Sequence, residues 1–339
     1  MTGAPAGGRD VTGAPGGRAS LRRSRDVPLL VAGARDGDPR AVARLISLVE
    51  SGDEVLPEIA AALAPHTGRA RVLGLTGSPG VGKSTTTNEL VRAYRAAGLR
   101  VGVLAVDPSS PFTGGAILGD RVRMQDHATD AGVYIRSMSS RGHLGGLAAA
   151  TPQAVRVLEG AGCAVVLVET VGVGQAEVAV ASLADTTVVL LAPGMGDAIQ
   201  AAKAGILEIA DVFVVNKADR DGADATYRDI QGMIGLAERG PGEWRPQVVR
   251  AVAARGEGID EVAAAIDKHQ KWLADHGELQ RRREARAAAE IEAIALGSLR
   301  EQMTSLRNGT GLAALAAKVA TGALDPYAAA ADLLASLDR

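Results

Sequence analysis

RVLGLTGSPGVGKST, residues 71–85, decides the fold. Its first half, Arg71 to Gly77, is a short apolar run with strand-forming residues. Its second half, Gly77-Ser78-Pro79-Gly80-Val81-Gly82-Lys83-Ser84, fits G-x-x-x-x-G-K-S/T and opens into a helix-favouring stretch. Glycines let such a loop turn several backbone N–H groups inward on phosphate oxygens. The helix that starts near Lys83 adds the positive end of its dipole. Lys83 is then expected to reach the β- and γ-phosphates of a nucleotide, Ser84 to hold Mg²⁺ through its hydroxyl, and Thr85 to meet the α-phosphate. A strand before the loop and a helix after it separate this site from a glycine-rich turn carrying a chance lysine.

Working outward, short β-branched runs alternate with Ala-rich helical stretches: RVGVLAVD (residues 100–107), VYIRS (133–137), AVVLVET (164–170), TTVVLLAP (186–193), DVFVVNK (211–217) and QVVRAVA (247–253). These runs show little alternation, as strands buried on both faces do. Strand-helix-strand succession with right-handed crossovers predicts an α/β fold, a doubly wound and mostly parallel sheet of the P-loop NTPase kind. Composition agrees: 47% of residues are hydrophobic but only 2% aromatic, so Val, Leu, Ile and Ala must fill the core. The formal charge of −2 gives no nucleic-acid surface, and no apolar run reaches the length of a membrane span. One cysteine, Cys163, excludes an intramolecular disulfide framework and fits a reducing compartment, so a cytoplasmic location is expected.

Two further motifs complete a nucleotide site. Asn216-Lys217-Ala218-Asp219 ends the apolar run DVFVV. A carboxylate at Asp219 accepts hydrogen bonds from N1–H and the exocyclic amino group of guanine. Adenine offers no such donor pair and would leave the carboxylate unpaired, a penalty of about 3 kcal/mol and a preference of at least about a hundredfold. Lys217 can pack its stem on the base, Asn216 can tie this loop to the phosphate loop, and a backbone N–H in Ala251-Val252-Ala253 is expected to touch the base, with Ala253 favoured. Glu169 ends AVVLVE where a Mg²⁺-organising acid belongs, and with Gly172 it reads as E-x-x-G, whose glycine N–H can sense the γ-phosphate. Val173 follows, and a valine cannot position an attacking water, so hydrolysis by the free protein is expected to be slow. Asp107 ends the second strand and opens DPSSPFTGGAILGDRVRM. Asp107 and Asp120 are candidates for Mg²⁺ or water-activating roles, with a helix cap as the other reading of Asp120.

The flanks read differently. Residues 1–26 carry an imperfect repeat, TGAPAGGR then TGAPGGR, and are expected to be a disordered tail. Residues 27–69 read as short helices, broken at Gly37-Asp38-Pro39 and Ser51-Gly52-Asp53. The GTPase domain is expected over 70–275 and a helical dimerisation arm over 276–339, where Ile291, Ile294, Leu299 and Met303 stand among charges as in a dimer arm or, in the other reading, a helical lid.

GSPGVGKST, AVDPSSPFTGGAILGDRVRM, ETVGVGQAEV, PGMGDAIQAAKAGILEIADVFVVNKAD and GEGIDEV together resemble the MeaB/ArgK-type methylmalonyl-CoA mutase-associated GTPases, from about Val27 onward. The resemblance implies a GTP-hydrolysing, Mg²⁺-dependent chaperone of an adenosylcobalamin-dependent acyl-CoA mutase, gating cofactor loading and protecting or reactivating the mutase. It also implies a homodimer, stimulation by the partner, no tightly bound organic cofactor, and essential roles at Lys83, Asp107, Asp120 and Glu169, with Mg²⁺ near Ser84, Asp107 and Glu169. The alternative is a GTPase metallochaperone for a nickel enzyme. That role needs clustered soft donors, whereas His66, His127, His143, His269, His276 and Cys163 are dispersed.

Overall fold

The computed structural model describes Leu21, His127 and residues 24–107, 129–139, 150–170, 176–194, 208–240, 242–308 and 310–335. The expected tail therefore lies almost wholly outside the described residues, as do Asp120, Gly172, Val173 and His143. The chain divides into two compact units, residues 1–279 and 280–339.

In the first unit, three helices precede the sheet: α1 (Val27–Arg35), α2 (Pro39–Ser51) and α3 (Leu56–Leu63). The sequence punctuates them with standard capping chemistry. Asp26 accepts from the Leu29 N–H at 3.0 Å and Asp38 from the Arg40 N–H at 2.8 Å, while Gly52 closes α2 in the left-handed conformation. Then strands and helices alternate: β1 (Arg71–Thr76), α4 (Lys83–Ala96), β2 (Val101–Asp107), β3 (Val133–Ser139), α5 (Thr151–Gly160), β4 (Val165–Thr170), α6 (Ala176–Leu183), β5 (Thr186–Leu191), β6 (Val212–Asn216), α7 (Ala223–Leu236), β7 (Gln247–Ala251) and α8 (Ile259–Asp275).

The seven strands form one sheet in the order β3-β2-β4-β1-β5-β6-β7, and every neighbouring pair is parallel. This is the doubly wound sheet that the buried apolar runs imply. Alternate residues along each strand feed separate cores. Leu73, Leu75, Val165, Leu167, Val188 and Leu190 pack on the face covered by α4 and α8. Val72, Leu104, Val106, Val166 and Val168 turn to the other face, against α1, α2, α3 and α5. Farther along that second face, Val189, Leu191, Phe213 and Val215 pack against α7. Because all strands run parallel, their C-terminal ends lie along one edge, and loops carrying chemistry gather there.

The second unit begins within α9 (Glu278–Asn308) and continues through α10 (Thr310–Ala320) and α11 (Pro326–Ala335). Ile291, Ile294 and Leu299 are exposed on α9, together with Leu296. The side chain of Met303 lies outside the described residues. Among the described residues, no helix is long and apolar enough to cross a membrane.

Candidate functional site

The loop between β1 and α4 takes the shape its glycines allow. Gly77, Gly80 and Gly82 have φ of 139°, 80° and 98°, values that L side chains rarely adopt. Two of them also lack space for a side chain. A Cβ on Gly77 would strike the Leu190 carbonyl of β5, and one on Gly82 would strike the Asn216 amide. Lys83, at the start of α4, is only 8% exposed. Its Nζ donates to the carbonyls of Gly77 at 2.6 Å and Ser78 at 3.1 Å, so the ammonium is folded over its own loop. Ser78 is half-buried, Pro79 and Gly80 are exposed, Val81 is buried, and Thr85 is exposed.

Behind the loop stands Glu169, near the end of β4 and 4% exposed. The Ser84 hydroxyl donates to its Oε1 at 2.6 Å. Thr87 Oγ1 lies 3.0 Å from its Oε2 and also 3.0 Å from the Lys83 carbonyl. A buried carboxylate needs such donors, since an unpaired buried charge is costly. The pair Ser84 and Glu169 supplies hard oxygens, one neutral and one anionic, which suit Mg²⁺ bound by few protein groups and completed by water and phosphate oxygens. Among the described residues, no group of three or more His, Cys, Asp or Glu is arranged to hold a metal by itself.

Thr87 is one residue that sequence reading missed. Its signal was present: it lies three residues after Ser84 in KSTTT, on the same helical face. Asp107 is the last residue of β2, which pairs with β4 through Ala105↔Glu169 and Val106↔Thr170. Its backbone therefore leaves the sheet at the same edge as Glu169, while its side chain lies outside the described residues.

The Asn216-Lys217-Ala218-Asp219 turn is joined to the phosphate loop by two side chains. Asn216, 3% exposed at the end of β6, donates from Nδ2 to the Val81 carbonyl at 2.8 Å and accepts from the Ala253 N–H at 3.0 Å. The tie expected of Asn216 is thus made, and it reaches a third segment as well. The Ala253 N–H, the favoured base contact, is engaged by Asn216 here. Lys217 is the one non-glycine residue with positive φ among the described residues, at 56°, and its Nζ donates to the Gly80 carbonyl at 2.6 Å. The lysine stem therefore spans from the base loop to the phosphate loop. The Ala218 N–H donates to the Ala251 carbonyl at 3.0 Å, fixing this turn to the end of β7.

A cleft of about 260 Å³ results, lined by Thr85, Asn216, Lys217, Asp219, Ala253 and Arg255 among others. Asp219 Oδ2 lies 3.2 Å from Arg255 Nη2. Sequence gave no reason to single out Arg255, because only the fold carries the turn after β7 to the mouth of this cleft. Such an arrangement suits phosphoryl transfer, which rests on positioning and on stabilising charge at the phosphoryl oxygens.

With this geometry in place, comparison with known proteins is specific. The family model described as "Methylmalonyl Co-A mutase-associated GTPase MeaB" matches residues 42–308. "GTPase ArgK" of Escherichia coli (strain K12) is 39% identical over 257 residues, covering 74% of this chain and 78% of that one. "Methylmalonic aciduria type A homolog, mitochondrial" of Mus musculus is 36% identical over 338 residues, covering 93% of this chain and 80% of that one. A crystal structure described as a "LAO/AO transport system kinase" superposes with a TM-score of 0.68 at 26% identity, covering 92% of this chain and 98% of that one. The chain belongs to the MeaB family of methylmalonyl-CoA mutase-associated GTPases and is itself a GTPase.

Proposed function

We propose that this protein is a nucleotide-gated chaperone of an adenosylcobalamin-dependent acyl-CoA mutase, with methylmalonyl-CoA mutase the favoured client. It binds GTP with Mg²⁺ along the cleft, guanine against Asp219 and the triphosphate on Gly77–Thr85. Ser84, Glu169 and Asp107 organise the metal, Lys83 stabilises charge on the phosphates, and Asp107, Asp120 and Glu169 serve the attacking water and its proton. Gly172 senses the γ-phosphate. The observation that carries this reading is the buried Asn216 bridge, because it ties the turn that carries Asp219, and the segment at Ala253, to the loop that grips phosphates. The family description supports the mutase as partner.

Hydrolysis by the free protein is slow, because Val173 follows the glycine, and docking on the mutase completes the site. The chain acts in the cytoplasm as a homodimer formed through residues 276–339, a role supported by the exposed apolar side chains of α9. No organic cofactor is held tightly.

The test is co-purification with a cobalamin-dependent acyl-CoA mutase, with and without a non-hydrolysable GTP analogue, alongside GTPase rates. The proposal predicts capture that depends on the nucleotide and GTP hydrolysis accelerated by the mutase. Equal rates with and without the mutase, and no capture in either nucleotide state, would contradict it.

A further inference from the structure

Arg255 touches the base-reading carboxylate, and no role in the nucleotide reaction described so far uses it. It ends the short turn Ala253–Arg255 after β7. The backbone of that turn is tightly fixed. The Arg255 N–H donates to the Val252 carbonyl at 2.8 Å, Gly256 closes the turn with φ of 72°, and the Val252 N–H donates to the Glu257 carbonyl at 2.9 Å. The side chain is not so confined: it is 59% exposed and stands between two carboxylates. Nη2 lies 3.2 Å from Asp219 Oδ2, and Nη1 lies 4.0 Å from Glu257 Oε1.

A guanidinium presents adjacent N–H donors in one plane. Guanine presents the same pattern with N1–H and its amino group. The two therefore compete for one acceptor. Adenine does not offer that donor pair and leaves the Asp219–Arg255 contact in place, an exposed pair that offsets only a small part of the cost of covering the carboxylate without its guanine donors.

We propose that Arg255 is a built-in competitor for guanine at Asp219. In the nucleotide-free protein it holds the base-reading carboxylate in a paired state. When guanine enters, the side chain crosses to Glu257, so neither charge is stranded. Two consequences follow. The empty site is stabilised, which weakens nucleotide retention and favours exchange. The competitor also opposes only those ligands that need Asp219. This inference rests on Asp219 as the guanine reader.

The pair is exposed, so its contribution is modest. An exposed ion pair of ordinary strength corresponds to about a two- to fivefold change in affinity. Calorimetry on the full chain with Mg²⁺, using GDP and ADP, reads it directly. Arg255→Ala and Arg255→Met, the latter keeping the apolar stem, should each tighten GDP binding by about two- to fivefold and leave ADP binding as it was. In an Asp219→Asn background the same substitutions should give no gain. Weaker GDP binding in both Arg255 variants would overturn the competitor and make Arg255 a ligand-side group. Unchanged GDP binding in them, with Asp219→Asn still losing GDP, would also overturn it. If Asp219→Asn keeps the GDP affinity of the unaltered chain, the base assignment itself fails. Those two failures are therefore distinguishable.

Discussion

At the scale of single residues, the site depends on buried polar groups held by short, specific contacts. Ser84 and Thr87, on one face of α4, both meet the buried carboxylate of Glu169, the acid proposed to organise Mg²⁺. Thr87→Val keeps the side-chain volume and removes one donor. Outer-shell groups of this kind change metal affinity by about ten- to a hundredfold. The Mg²⁺ concentration needed for half-maximal GTP hydrolysis should therefore rise by about tenfold, while GDP binding without metal stays within about twofold. A Mg²⁺ titration of the steady-state rate checks this. The phosphate loop, the strand-end acid and Asn216-Lys217-Ala218-Asp219 were legible in sequence because each is a contiguous string with its own chemistry. Arg255 was not legible, since its meaning comes only from facing Asp219, thirty-six residues earlier in the chain.

Elements show a similar division. All seven strands could be read from their β-branched runs, and the helix breaks at Gly37 and Gly52 from turn chemistry. Sheet order could not be read, because pairing β1 between β4 and β5 is a tertiary choice that leaves no local trace. Nor does periodicity show what α2 covers. The structure packs Leu45, Ile46 and Val49 into the core on the face opposite α4 and α8. Leu45 is fully buried, so Leu45→Ala opens a cavity costing about 3 kcal/mol. Thermal unfolding of the isolated chain should move down by roughly 5 °C. GDP affinity below that temperature should hold within about twofold, because the helix lies away from the loops that line the cleft. A loss of GDP binding matching the loss of stability would contradict this separation. Asp130 ties the segment before β3 to α4: Arg95 donates from Nε at 2.8 Å and Nη2 at 3.0 Å, and the Gly132 N–H donates at 2.7 Å. Arg95 first, then the Gly132 amide, hold the Asp130 carboxyl below the usual carboxylate range. The stabilising effect of that tie is accordingly present above the ordinary carboxylate pKa and lost as pH falls through the depressed value.

For the whole molecule, two features can be tested without reference to any ligand's chemistry. Residues 1–279 form a compact unit with their own cores. Ending the chain after Leu279 should give a monomer by light scattering that binds GDP within about twofold of the full chain. A truncated protein that kept the mass of a dimer would place the interface elsewhere. Cys163 reports on the integrity of the same unit. Burial pushes its thiol up to about 12, against a smaller opposing effect of Arg100. The folded chain should thus resist a thiol reagent at pH 8 and react on unfolding. The sign of the coupling follows: no penalty exists below the ordinary thiol range, and stability is lost as pH rises through that range toward 12.

In the proposed function one cleft selects guanine by a carboxylate at one end while a glycine loop grips phosphates at the other. Calorimetry of GTP against ATP, each with Mg²⁺ and the full chain, tests that most directly. GTP should bind at least about a hundredfold more tightly than ATP, and Asp219→Asn should remove most of the difference. Equal affinity for the two nucleotides, or no binding of either, would contradict it.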